Sequence, residues 1–363
     1  MVWRMRDLDR AIVSTLLALA TIVRGTAVRA QEHVALGTDV LLYGDNTEFR
    51  NPFREGETIF GAAARVAADL ELNPRVTLTL GVFGNQRFGG DAAFELVRPV
   101  IALAITGKRS SFVLGALPAR HAGAPAGADL MGPHALLPAL QRETLAFERA
   151  FEPGLQWTFK GSRLRHDAWL EWQRLNTAEH RERFDAGLNA EVRASAAVAL
   201  PFQFHVVHQG GQLFAAGPVA DSMAAAAGVK VERRAGRTMR ASIEAYGVLS
   251  RYVPDRAMPD RSRDGTAFFG RAAVEQNGWR AHMIVWRGRN VIKEEGDQNY
   301  GSLRRDGTRY RGTRDYAELG ATRRFELARS ATLDVSGRLH RVERYYEYSY
   351  RVTSTVNFAT RIR

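Results

Sequence analysis

The last stretch of the chain, residues 345–362, restricts the fold more than any other part. Its sequence is YYEYSYRVTSTVNFATRI. Every second residue from Tyr346 to Ile362 is mostly apolar, beginning with three tyrosines, and the residues between them are mostly polar. Because side chains alternate between the two faces of a strand, the pattern predicts one β-strand between an apolar and an aqueous medium. The stretch is far longer than the roughly 5 to 6 residues usual in soluble sheets, and such length is typical of transmembrane barrels.

The N-terminal residues 1–30 predict a cleaved secretory signal peptide. Three arginines precede the apolar run 11–23, and small residues at 28–30 offer a cleavage site. The run is shorter than the roughly 20 residues that a spanning helix needs, and no later stretch is long enough either. A membrane-anchoring amphipathic helix is the alternative for this segment. Residues 31–363 are then expected to form a single exported β-barrel domain.

Composition excludes several kinds of site and partner. The 363 residues contain no cysteine, which excludes disulfides, thiolate metal sites and a cysteine nucleophile. The net charge of +12 could suggest a nucleic-acid partner. Export and the dispersal of the arginines along the chain argue against that partner. We expect the exposed arginines to face outer-membrane lipids and acidic lipopolysaccharide instead.

Alternating segments repeat along the whole mature chain and predict about 16 antiparallel strands, with 14 to 18 allowed. Short connections and longer ones follow one another in turn, and the long ones all come after odd-numbered strands. That layout is typical of an outer-membrane barrel with both termini in the periplasm. The weakest hairpin is at 341–344, where no Gly, Pro or Asn marks a turn. The pattern also places Leu145 and Phe147 on a strand and a helical turn near 136–142.

The signal segment, the alternating strands and the aromatic last strand together resemble porin-like outer-membrane β-barrel proteins. The likeness is to the class as a whole. It implies delivery by the barrel-assembly machinery, passage of small solutes, and an assembly that could include a homotrimer. One departure is the C-terminus, which reads Arg361-Ile362-Arg363 where an aromatic residue is usual; Phe358 is the nearest aromatic.

The resemblance predicts a porin-like channel for passive diffusion of small polar or charged solutes. Two alternatives stay open: a conduit for polysaccharide export or uptake, and a loop-plugged barrel with a structural or surface-interaction role. In porins the third long loop narrows the lumen, and here that loop is 118–143. It would be either a constriction or an ordinary surface lid, and its candidate residues are Arg120, His121, Asp129, His134 and Arg142.

The polar register of the strands supplies candidate pore-lining residues of both signs in near balance. Such balance indicates either a wall of paired charges or a path for selected ions. The candidates are Arg65, Lys160, Arg193, Arg240, Arg271, Arg280, Arg324, Arg338, Arg351, Asp69, Glu71, Asp185, Glu191, Glu244, Glu275 and Glu347. In the apolar register, Tyr346, Tyr348 and Tyr350 are candidates for an aromatic belt at the membrane interface.

The sequence offers little support for catalysis. His205 and His208 are three residues apart on a predicted strand, so they would point to opposite faces and could not share a metal ion. No motif marks the Ser/His pair of a lipid-facing phospholipase. We therefore expect no enzymatic activity, no catalytic residue, no metal and no cofactor.

Overall fold

A computed structural model describes residues 34–117, 134–236 and 238–362 of the chain. Within them, sixteen antiparallel strands form one closed barrel, in which each strand pairs with its neighbours in sequence. The barrel closes where β1 pairs with β16, in a ladder that runs from Val34 opposite Ile362 to Glu48 opposite Tyr348. The predicted all-β transmembrane antiparallel barrel of about 16 strands is confirmed.

The strands are mostly 11 to 18 residues long, as a membrane-spanning barrel requires. They are β1 Val34–Glu48, β2 Glu57–Asn73, β3 Val76–Arg87, β4 Leu96–Thr106, β5 Ser110–Ala116, β6 Pro153–Lys160, β7 Leu164–Arg174, β8 Glu182–Arg193, β9 Val198–Gly210, β10 Ala220–Ala235, β11 Met239–Val253, β12 Arg263–Gln276, β13 Trp279–Arg289, β14 Thr313–Ala328, β15 Ala331–Val342 and β16 Tyr345–Ile362. Among the described residues, one short α-helix, α1 (Leu145–Glu148), and two 3₁₀ turns, Pro259–Arg261 and Gln298–Tyr300, lie in the connections. None of the helices among the described residues has the length and apolar character needed to cross a bilayer.

The two ends of the barrel differ. At the short-turn end, tight hairpins join β2 to β3, β4 to β5 and the later pairs, and the described chain also begins and ends there. At the long-loop end, extended connections follow β1, β5 and β13. The two faces of each strand differ as well: Tyr346 on the outer face of β16 is 80% exposed, whereas its neighbour Glu347 is 7% exposed.

Three connections at the long-loop end pack against the inner face of the barrel. They are residues 49–56, 134–152 and 290–312. Leu136, Leu137 and Leu140 are completely buried there, in one apolar cluster with Trp286 and Tyr300. The densest part of the core therefore lies inside the barrel at its long-loop end. Nearer the short turns, inner-face groups such as the Arg324–Asp334 pair are partly exposed.

One local expectation was wrong, and the hairpin expected at 341–344 is confirmed. Leu145 and Phe147 belong to helix α1, and β6 begins only at Pro153. Their alternation is misleading because a short helix inside a barrel can bury both side chains, and Phe147 stacks on Tyr43 at a centroid distance of 5.0 Å. The unmarked turn between β15 and β16 is made by Glu343, whose φ of +54° is rare for a residue other than glycine.

Truncation tests the closure of the barrel. Deleting residues 345–362 removes β16 and leaves β1 and β15 with unpaired edges in lipid, each unpaired backbone group costing several kcal/mol. We expect the truncated chain to lose the folded, heat-modifiable band on SDS gels and its β-type circular dichroism in detergent. The outer-face change Tyr346→Phe should keep both signals, and a stable barrel without β16 would contradict the closed topology.

Candidate active site

A row of polar side chains crosses the inner face of β14, β15 and β16 near the long-loop end. Glu318 of β14 lies opposite His340 of β15, and Arg338 of β15 lies opposite Ser349 of β16. Because alternate residues share a face, Tyr316 also points into the barrel beside Glu318. All five side chains are less than 10% exposed. Three adjacent strands in fixed register thus bring together a hydroxyl, an imidazole and a carboxylate.

These groups form a continuous chain of hydrogen bonds. Ser349 Oγ lies 2.8 Å from His340 Nε2. His340 Nδ1 lies 2.8 Å from the hydroxyl of Tyr316, which donates to Glu318 Oε2 at 2.5 Å. Glu318 Oε2 is also 3.5 Å from His340 Nδ1. The other oxygen of Glu318 lies 2.8 Å from His282 Nε2.

The proton positions follow from this geometry. An ionised Glu318 can only accept, so the proton between it and Tyr316 comes from the tyrosine hydroxyl. That hydroxyl has no second proton to offer, so His340 Nδ1 must donate to it. In the neutral imidazole, Nε2 then carries no proton and accepts the hydroxyl proton of Ser349. This is the tautomer in which a histidine acts as a general base toward serine.

The loop 49–56 covers this row from the long-loop end. Glu347 accepts the backbone N–H groups of Arg50 and Asn51 at 2.6 and 2.7 Å, and the Asn51 side chain at 2.6 Å. The ring of Phe49 packs edge-on against His340, with centroids 4.9 Å apart. The loop therefore helps to exclude bulk water from the histidine.

Arginines surround a small cavity beside Ser349. Glu143 Oε2 accepts from Arg338 at 2.9 Å and from Arg351 at 2.7 Å. The cavity has a volume of about 20 Å³, and Ser349 and His340 line it. A water molecule needs roughly 10 to 15 Å³ of such space, so the cavity holds about one.

Arg54 also faces this cavity, from the loop 49–56. Its guanidinium pairs with Asp297 at 2.5 Å. Burial lowers the pKa of Arg54, but the carboxylates of Asp297 and Asp45 more than offset that effect and leave the pKa raised. The guanidinium therefore stays charged beside the candidate site.

A second charged cluster lies on the inner face of β8 and β9. Asp185, His205 and Glu295 offer ligand atoms within 4.8 Å of one another, a spacing that could hold a metal ion. However, Arg149 donates to Glu295 at 2.7 Å, and Arg183 does so at 3.0 Å. Because these guanidiniums already neutralise the carboxylates, the cluster is built as an ion-pair network that fixes two connections to the wall.

The titration of this second cluster reflects its burial. Burial lowers the pKa of Lys293 to about 8, although Glu295, Asp185 and Glu294 oppose the shift. For Glu295, burial raises the pKa, but Arg149 and His205 outweigh that effect and hold the carboxyl pKa well below its usual range. Both residues lie in the connection 290–312, so the ion pairs of Glu295 with Arg149 and Arg183 help the buried Val291 and Tyr300 to hold this connection in the lumen.

Only some of the predicted constriction residues fall in the described part of the chain. Arg120, His121 and Asp129 lie outside the described residues. The ring of His134 stacks on Trp169 at 3.4 Å, and its Nδ1 lies 3.0 Å from Asp167. Arg142 pairs with Glu148 of α1.

Most of the candidate pore-lining residues are found in cross-strand pairs. The pairs are Arg65 with Asp39, Asp69 with Thr79, Arg165 with Glu191, Arg271 with Glu244, Arg280 and Arg240 with Glu275, and Arg324 with Asp334. Glu71, Lys160 and Arg193 are exposed near the short turns. Arg338, Arg351 and Glu347 meet at the candidate active site, and Asp185 joins the second cluster. The tyrosines proposed as a belt, Tyr346, Tyr348 and Tyr350, are exposed on the outer face of β16.

Sequence reasoning missed the grouping of Ser349, His340 and Glu318. Ser349 was assigned to the polar register of the last strand, and Glu318 is likewise an inward-register residue, but neither was connected with His340. The contact depends on the pairing register of three strands, which alternation within one strand does not reveal. The one available signal was a polar register that carries Ser, His and Glu on three consecutive strands.

Two kinds of comparison relate the chain to known proteins. A family model described as lipid A 3′-O-deacylase-type matches residues 26–363. The chain belongs to the lipid A 3′-O-deacylase-type family. No curated protein sequence matches it.

Solved structures resemble this lipid A deacylase-type protein in fold alone. A loop L8 deletion mutant of OmpT, an outer membrane protein of Vibrio cholerae, has a TM-score of 0.57 and 10% identity, with 91% of this chain and all of that chain covered. OccK8 (OprE) of Pseudomonas aeruginosa has a TM-score of 0.53 and 9% identity over 90% of this chain and 98% of its own. OccK2 (OpdF) of the same organism has a TM-score of 0.52 and 10% identity, with the same coverage. These likenesses and the family match make the chain an outer-membrane β-barrel.

The family membership corrects two predictions made from the sequence. The expected porin-like channel for passive diffusion is wrong, and so is the expectation that the chain is not an enzyme. The family is named for removal of an acyl chain from lipid A, which is the chemistry of a hydrolase. Shared barrel architecture misled the functional prediction because one fold hosts both channels and enzymes.

The hydrogen bonds between Glu347 and the loop 49–56 can be tested by substitution. In Glu347→Ala, two backbone N–H groups and the Asn51 amide lose their acceptor, and each buried donor left unsatisfied costs about 1–3 kcal/mol. We expect the loop 49–56 to loosen, so trypsin should cleave after Arg50 or Arg54 much faster than in the parent protein. The matched change Glu55→Ala, on the same loop but at an exposed side chain, should leave the rate of cleavage after Arg50 unaltered. Equal cleavage of both variants would contradict the role of Glu347.

Proposed function

We propose that this protein hydrolyses an acyl ester of lipid A in the outer membrane, with Ser349 as the nucleophile and His340 as the general base. The observation that carries the proposal is the 2.8 Å contact between Ser349 Oγ and the unprotonated Nε2 of His340. Membership of the lipid A 3′-O-deacylase-type family supports the substrate class. Tyr316 and Glu318 act as positioning residues because they hold His340 in the required tautomer.

The reaction follows the two-step course of serine acyl transfer. Ser349 Oγ attacks the ester carbonyl carbon while its proton moves to His340 Nε2. The tetrahedral intermediate collapses when the sugar oxygen leaves and takes that proton, so the acyl chain stays on Ser349. A water molecule, deprotonated by His340, then attacks the acyl-serine, and the fatty acid departs as Ser349 regains its proton.

The surroundings favour the charge changes of this reaction. The imidazolium that forms is stabilised through Tyr316 by the carboxylate of Glu318. Arg338, directly across the strand pair from Ser349, brings positive charge to the side where the oxyanion develops. Because Phe49 and the in-folded connections exclude water, these charges act in a low-dielectric medium, where they have more effect.

The lengths of the connections at the two ends of the barrel support one orientation in the outer membrane. Outer-membrane barrels place short turns in the periplasm and longer loops outside. In that orientation both termini are periplasmic, and the Ser349 site lies in the half of the barrel nearer the outer leaflet, where lipopolysaccharide is located. Arginines in the connection 290–312, such as Arg304 and Arg305, then face the acidic groups of lipopolysaccharide.

The proposal is tested with purified protein and lipid A in detergent, with products followed by mass spectrometry. Ser349→Ala should reduce fatty-acid release by at least about 10³-fold, because serine hydrolases lose that much or more without their nucleophile. His340→Asn should behave in the same way. The matched control is Ser336→Ala, which removes a different buried serine, on the inner face of β15. This variant should keep full activity.

Folding must be checked in parallel, because a misfolded variant would also be inactive. Each variant should show the same heat-modifiable band and dichroism as the parent. Fatty-acid release by folded Ser349→Ala at the parental rate would sink the assignment of the nucleophile. Failure of the folded parent protein to release any acyl chain from lipid A would contradict the proposed function.

A further inference from the structure

The contact between Glu143 and two arginines stands out among the charged contacts of the lumen. Arg338 lies on β15 and Arg351 on β16, and Glu143 reaches them from the connection between β5 and β6, about two hundred residues earlier in the chain. Both guanidiniums donate to one and the same oxygen, Oε2. We propose that Arg338 and Arg351 form a binding site for a phosphate monoester, and that the Glu143 carboxylate occupies this site in the present structure.

The two guanidinium groups of Arg338 and Arg351 suit a phosphate better than a carboxylate. A guanidinium presents N–H donors in a planar fork that matches two oxygens of a phosphate. A phosphate monoester offers three acceptor oxygens, so each arginine could bond a different one. Glu143, by contrast, accepts from both arginines through a single oxygen, Oε2.

The charged side chains that line the cavity also bear on the binding of an anion. Four arginines line it, Arg54, Arg142, Arg338 and Arg351, and four carboxylates face them, those of Asp45, Glu143, Asp297 and Glu318. Three of the four carboxylates have another fixed partner in the wall or in a loop: Asp45 pairs with Arg351, Asp297 with Arg54, and Glu318 with His282. Glu143 reaches both arginines from a connection and not from the wall, so its withdrawal would remove one negative charge from beside Arg338 and Arg351.

The position of the arginines relates the anion site to the reaction. Arg338 is the cross-strand partner of Ser349, and Arg351 follows Ser349 by two residues on the same face of β16. A phosphate held between them would place a neighbouring acyl ester of the same sugar within reach of Ser349 Oγ. Lipid A is a phosphorylated and acylated glucosamine disaccharide, so it carries both groups. This identification of the natural ligand rests on the proposed function, whereas the anion site itself does not.

Displacement of the Glu143 side chain by a bound phosphate would also enlarge the cavity beside Ser349. The present cavity has room for about one water molecule, and Glu143 is one of its lining residues. Rotation of this side chain away from the arginines would enlarge the cavity that Ser349 also lines. Binding of the phosphate and admission of the ester would then be coupled through one side chain.

The test measures binding of inorganic phosphate by titration calorimetry in the Ser349→Ala background, so that no hydrolysis occurs. Adding Glu143→Gln removes the competing charge and keeps the size of the side chain. We expect phosphate to bind about tenfold more tightly, as when one charge-assisted hydrogen bond no longer has to be broken. Glu148→Gln, on α1 of the same connection and paired with Arg142 instead, should bind phosphate like the parent.

A further variant and a second titration decide between the possible outcomes. Adding Arg338→Gln to the Glu143→Gln protein should abolish the gain; if the gain survives, or if Glu143→Gln gives none, the proposal is overturned. A second titration compares monophosphoryl lipid A with its dephosphorylated form. Preference for the phosphorylated lipid identifies the site as a headgroup site, and equal affinity with retained phosphate binding identifies it as a site for free phosphate. Intact phosphate binding in a protein that releases no fatty acid would contradict the proposed function and leave the anion site standing.

Discussion

The structure depends on the closure of the hydrogen-bond ladder between β1 and β16. In the hydrocarbon core no water can satisfy a backbone N–H or C=O group, so a sheet with open edges is not stable there. Pairing Val34 with Ile362 at one end and Glu48 with Tyr348 at the other satisfies both edges along the whole length of the two strands. Closure also fixes the register of every strand, and thereby decides which side chains meet inside the barrel.

The inner face of the barrel wall carries the side chains of the candidate active site. Strand register brings Ser349, His340 and Glu318 onto neighbouring strands, and the tyrosine between the last two fixes the tautomer. The connections that fill the long-loop end then exclude water from them. Charges that enter with these connections are paired, as Glu295 is with Arg149, because leaving one partner of a buried pair alone costs several kcal/mol.

The sequence predicted the barrel well because its strongest signals are local. Alternation on β16, the tight turn at Asn277-Gly278, and the opposite faces of Trp169 and Trp172 are all visible within single segments. The structure buries Trp169 and leaves Trp172 39% exposed. The same local reasoning failed for α1, where Leu145 and Phe147 alternate as a strand would. It placed the last hairpin correctly at 341–344, although the turn residue Glu343 is an unusual one for a left-handed conformation.

The active site could not be predicted in this way, because it is a property of three strands in register. Arg338, Arg351 and Glu347 were predicted as pore-lining residues of the polar register, but their contacts with Glu143 and Asn51 depend on how distant connections fold back. The functional prediction failed for a related reason. Channels and enzymes can share the closed ladder of a barrel, so strand alternation does not distinguish them.

Covalent labelling of Ser349 tests the account most directly. A fluorophosphonate reacts with a serine only when a neighbouring base activates it, so the folded protein in detergent should gain one probe mass, located by peptide mass spectrometry on Ser349. Protein denatured before the reaction should stay unlabelled, because the contact with His340 is then lost. A folded protein that hydrolyses lipid A while Ser349 remains unlabelled would contradict the catalytic role assigned to this serine.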